Sequence, residues 1–156
     1  MRIPLLAWVF QGIPESIGLA ALVFSMCAKE FEWKYVIRIG LIQAVLCYFI
    51  RLMPFSPYSH VFILLTTQAV LFSVFTDIDI RVTYICCAIA VFILLCYEGV
   101  FLHLFDMTGV LTLEETVYNA TKRIITGIPQ VMLLFLTAGV ILWSRKYLYE
   151  RMKSGI

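Results

Sequence analysis

The chain has 156 residues, of which 62% are hydrophobic and 14% charged, with a net charge of +2 and a mean hydropathy of +0.95. Soluble domains use about 25% charged residues, so this composition excludes a soluble globule, and 12 basic against 10 acidic residues is too even a balance for a nucleic-acid surface. Several apolar runs approach the ~20 residues that carry a helix across a bilayer, and none shows the alternation of barrel strands. The expectation is an all-α, polytopic membrane protein in which a single integral domain, residues 1–156, holds about five transmembrane helices.

The spans read as 5–28, 36–53, 60–76, 82–104 and 124–144. No A-x-A-like cleavage site precedes Lys29, so the first span is expected to be retained. Within it, FQGIPESIG (residues 10–18) places Gly12, Pro14 and Glu15 in an apolar run. Span two ends near Arg51, and PFSPYSH forms a tight turn into span three, which opens at His60 and carries Thr66, Thr67 and Gln68. Span four contains Glu98 after the apolar run CCAIAVFILLCY. In the longer connection that follows, Thr112-Leu113-Glu114-Glu115 has capping-box form, so a short amphipathic helix is expected over about 112–122. Span five repeats the first motif as Gly127-Ile128-Pro129-Gln130, and the tail SRKYLYERMK reads as a helical extension with basic ends that snorkel to the interface.

Each Gly-Ile-Pro removes a backbone donor and weakens its helix. The first and fifth helices are therefore expected to be kinked, with carbonyls near 10–12 and 125–127 needing other partners. Paired broken helices at one depth point to a binding site in membrane proteins. At ~1.5 Å per residue, Pro14 and Pro129 both lie roughly 23 Å from the inner boundary, Arg51 roughly 20 Å, and His60 and Glu98 roughly 25 Å. Glu15, Arg51, His60, Glu98 and Gln130 thus share one slab in the outer third of the membrane and form the candidate ligand-binding set. A carboxylate flanked by apolar sequence faces the bundle interior and meets a partner; Arg51, with its planar fork, is the expected counter-ion.

The five cysteines lie in apolar runs without metal-ligand spacing and read as small core residues. His103 and Asp106 offer only two ligands, so no metal or other cofactor is expected. Trp8, Trp33 and Trp143 fall near span ends, where tryptophans anchor at the interface. No nucleophile elbow or Cys/His pair suggests catalysis. Placing the C-terminus in the cytoplasm puts Lys29, Lys34, Arg38, Arg81, Arg145, Lys146, Arg151 and Lys153 inside and leaves Arg2, Arg51, Lys122 and Arg123 outside, a bias that favours an outside N-terminus in the cell membrane.

Taken together, GIPES, the patch FEWKYVIR, YFIRLMPFSPYSH, CYEGVF, LTLEE and RIITGIPQ give the chain a resemblance over nearly its whole length. It resembles the small membrane-sensor region at the N-terminus of some Firmicute sensor histidine kinases of the GHKL type. The resemblance implies an input module whose outer pocket detects a ligand or envelope state and reports through its last helix. Because the chain ends at Ile156 without a kinase, output is expected through a partner kinase, another membrane partner or a homo-oligomer. Two further readings stand beside this one: a small transporter or substrate-binding subunit of a transport complex, and a structural protein whose polar layer only locks helix packing.

Overall fold

A computed structural model describes residues 8–27, 31–53, 57–107 and 120–153. Their regular structure is helical throughout, and four of the helices are long and apolar enough to span a membrane. Helix α1 (Ile13–Cys27) follows a π-helical turn at Trp8–Gly12. It is succeeded by α2 (Trp33–Leu52), α3 (Pro57–Phe75), α4 (Ile80–Met107) and α5 (Ala120–Lys153). The shortest apolar stretch is that of α3 (Ser59–Phe75), which lies below the length of the other four. The capping box and most of the outer helix expected over 112–122 fall outside the described residues.

Helix α1 is the axis of the bundle. Ala20 to Ser25 are all buried, as are Gly18 and Leu19, which is what an apolar sequence without a polar stripe requires. It packs on α2, α4 and α5, while α3 bridges α2 and α4. Between membrane helices the hydrophobic effect is weak, so close packing of small residues must hold the contact. At Gly40 the backbones touch: a Cβ there would lie 2.7 Å from the Cα of Ile17. Gly18 similarly admits Leu134 of α5. Phe24 of α1 stacks on Tyr35 and meets Phe72 of α3 at 5.9 Å between ring centroids.

The contacts also set direction. Gln11, Gly18 and Ser25 meet Gly127, Leu134 and Arg145 in the same order, so α1 and α5 run parallel. Trp8, Ile17 and Phe24 meet Ala44, Gly40 and Tyr35 in reverse order, so α2 is antiparallel to α1. Asp79 starts α4, its carboxylate accepting the amide N–H of Arg81 at 2.9 Å, as an N-cap does.

Trp8, at the start of the first span, bonds to the neighbouring helix: its Nε1 donates to the carbonyl of Ala44 at 2.9 Å and its ring lies against Tyr48, because α2 offers a carbonyl within reach of an indole that needs one. One expectation needs correction here. Of the cysteines, Cys87 is buried, but Cys96 is exposed on the outer face of α4.

Candidate functional site

The residue ahead of the first Gly-Ile-Pro meets the glycine of the second. The side chain of Gln11, one residue before the first motif, lies directly over Gly127 of the second, in the space a Cβ would occupy. Ahead of Pro14 the backbone forms the π-helical turn, which absorbs a break in helical register within the chain itself. Pro129 sits inside the continuous α5. Gly127 therefore takes part in the contact with Gln11, and Gly12, Pro14, Gly127 and Pro129 line no part of the cavity described next.

That cavity, of about 130 Å³, lies among α1, α2, α3 and α4. None of the described residues of α5 lines it; α5 packs against α1 and α4, with Thr137 Oγ1 2.8 Å from Tyr97 Oη. Each of the four helices presents a stripe at helical spacing, such as Gln43, Cys47 and Arg51 on α2 or Val91, Leu94 and Glu98 on α4; residues three, four or seven apart share a face. Glu15, Arg51 and Glu98 come together at one end, where Glu98 is exposed and the other two are half-buried. Leu19, Leu64 and Leu94 form apolar walls. Two amides make the floor, Gln43 at 4% exposure and Gln68 at 1%, roughly 10–12 Å below the rim by helical rise.

The floor amides differ in their bonding. Gln43 Nε2 donates to the carbonyl of Leu64 at 3.0 Å and lies 3.4 Å from Thr67 Oγ1, tying α2 to α3. Gln68 Nε2 is buried and has no hydrogen-bond partner among the described residues. A buried unsatisfied donor costs about 1–3 kcal/mol, and the side chain that carries it lines the cavity wall.

Of the five residues expected to share a pocket, three line this cavity and two do not. His60, half-buried near the start of α3, is displaced by its neighbour Val61, which takes the lining position. Gln130 is buried at 5% exposure on α5 and does not line the cavity. Counting residues gives height along the membrane normal but no angle around the bundle, and it is the angle that separates these two from the rest. The expected ion pair also differs: Arg51 and Glu98 face the same cavity, and no ion pair closes between them among the described residues. Sequence reasoning missed Gln43, Ser16 and Cys47 as lining residues and treated Gln68 as a packing residue. The available signal was the four-residue spacing of Gln43 and Cys47 below Arg51.

No group of three or more His, Cys, Asp or Glu side chains suited to a metal ion occurs among the described residues. Comparisons with models of known families, with curated proteins and with solved structures find no significant match.

Proposed function

We propose that this is a ligand-sensing or regulatory protein of the cell membrane, with its N-terminus outside, its C-terminus cytoplasmic, and a ligand pocket among α1–α4. The observation that carries the reading is the convergence of Glu15, Arg51 and Glu98 from three helices on one cavity whose floor holds the buried Gln68 amide. Charged groups at membrane depth are costly and mark functional paths or sites.

A route for output follows from the bolting of α1 to α5. Gln11 rests on Gly127 at one end, Gly18 on Leu134 in the middle, and Arg145 Nη1 donates to the carbonyl of Ser25 at 2.7 Å at the other end. An occupant pressing on Glu15 and Ser16 moves α1, and α5 moves with it. Helix α5 continues past Arg145 to Lys153, presenting Tyr147 and Arg151 in cation–π contact to a partner kinase, another membrane protein or a second copy. The sensor-kinase resemblance, with a signal leaving through the last helix, agrees with this geometry. A transport role is less favoured, because below the floor the bundle is filled by Phe24, Phe72 and Leu22, all buried, and no path continues past them among the described residues.

The test is the melting temperature of the purified chain against a library of small polar metabolites. Wild type should shift by several degrees with at least one compound, and Val91→Phe, which fills the cavity, should not. A library without effect on wild type would defeat the reading.

A further inference from the structure

We infer that the cavity takes a small zwitterion whose far end carries an amide-like polar group: an ammonium at Glu98, an anionic group at Arg51, and the polar group at the Gln68 amide. This deepens the proposed ligand-sensing role and rests on it.

Three observations carry the assignment. First, the rim presents both signs across one opening, a guanidinium from α2 and carboxylates from α1 and α4; Glu15 is already engaged, and no ion pair joins Arg51 to Glu98 among the described residues. Opposite charges that face a shared space without touching match a ligand bearing both charges, since each gains a charge-assisted hydrogen bond that water-exposed pairs would not supply as strongly. Second, the floor is polar: the Gln68 side-chain amide lines the cavity and has no hydrogen-bond partner for its Nε2 among the described residues, whereas Gln43 is already bonded to Leu64 and Thr67. The far end of the ligand must therefore hydrogen-bond an amide. Third, the volume of about 130 Å³ is close to the ~150 Å³ that accommodates benzene in an engineered cavity, so the ligand has on the order of six to ten heavy atoms. The leucine walls between rim and floor suit a short hydrocarbon linker. A free amino acid and a zwitterionic lipid headgroup share this chemistry.

The experiment uses the full chain in phosphatidylglycerol nanodiscs, a background without a zwitterion. L-asparagine and L-leucine are nearly equal in size and differ in the polar amide at the tip; isoamylamine and 4-methylvalerate each carry only one of the two charges. L-asparagine is expected to bind wild type at least about tenfold more tightly than either single-charge compound, because each lost charged hydrogen bond is worth roughly 10–100-fold. Arg51→Ala and Glu98→Gln should each weaken it by the same factor, and Arg51→Lys should recover part of the loss, showing that charge and not folding is at issue. Gln68→Leu should remove the preference for L-asparagine over L-leucine while leaving L-leucine affinity unchanged.

A second arm replaces phosphatidylglycerol with phosphatidylethanolamine. If the melting temperature rises and L-asparagine no longer competes, the headgroup is the natural source; if L-asparagine binds equally in both lipids, a free solute is. Either result supports the zwitterion. If isoamylamine binds as tightly as L-asparagine, or the metabolite library stabilises wild type only with singly charged compounds, the zwitterion is overturned and the sensing pocket stands. If no zwitterion binds in either lipid, the assignment falls, and an ineffective library would remove the pocket reading as well.

Discussion

Single atoms decide most at the glycines and at Gln68. A methyl group at Gly40 would meet the main chain of Ile17, which cannot move without separating two helices, whereas at Gly127 it would meet the flexible end of Gln11. Gly40→Ala is therefore expected to cost roughly 1–3 kcal/mol, as overpacking of a close contact does, and Gly127→Ala less than about 1 kcal/mol. Unfolding in mixed detergent would compare them, and equal losses would refute the argument from side-chain freedom. Gln68→Leu has the opposite sign. Removing a buried donor that lacks a partner should stabilise the empty protein by about 1 kcal/mol, while binding suffers as described above. A lower midpoint for this variant without ligand would mean that Gln68 is already satisfied.

Among the helices, the pair α1 and α5 behaves as one unit. Arg145 caps the Ser25 carbonyl near the C-terminus of α1 from a neighbouring helix, which a basic side chain near a helix C-terminus does well. The sequence had suggested only an interface charge at this position. Arg145→Gln should cost about 1 kcal/mol, with hydrogen exchange accelerating first in the last turn of α1, at Phe24 to Cys27. Uniform acceleration along α1 and α5 would show that the clasp is not local. If α5 carries the output, the same variant should uncouple ligand binding from the C-terminal extension without weakening the binding itself.

At the scale of the molecule, neighbouring helices alternate in direction, so Trp8 and Lys153 lie at opposite ends of the bundle. Combined with the basic excess at the end that holds Arg38, Arg81 and Arg145, this predicts an external N-terminus. A reporter that is active only outside the cytoplasm should work when fused before Met1 and fail after Ile156; the reverse result would invert the topology and place the pocket on the inner side.

What could be read from residue order alone was whatever depends on composition and on rise per residue. The apolar runs identified the membrane helices, because a helix satisfies its own backbone in lipid. Counting put Pro14 level with Pro129, and Gln11 indeed sits over Gly127. Counting also put Glu15, Arg51 and Glu98 at one height, and they line one cavity. Rotation about the bundle axis was not legible, because it depends on which faces of α1 meet which neighbours, and α1 is apolar on nearly every side. Only the packing decided that Gly18 would face α5 while Glu15 and Ser16 faced the cavity, leaving Gln130 out of its lining. It likewise decided that Gln43 would be satisfied across α2 and α3 and Gln68 would not, since a side-chain hydrogen bond depends on the positions of two helices and no local pattern in either one encodes the distance between them.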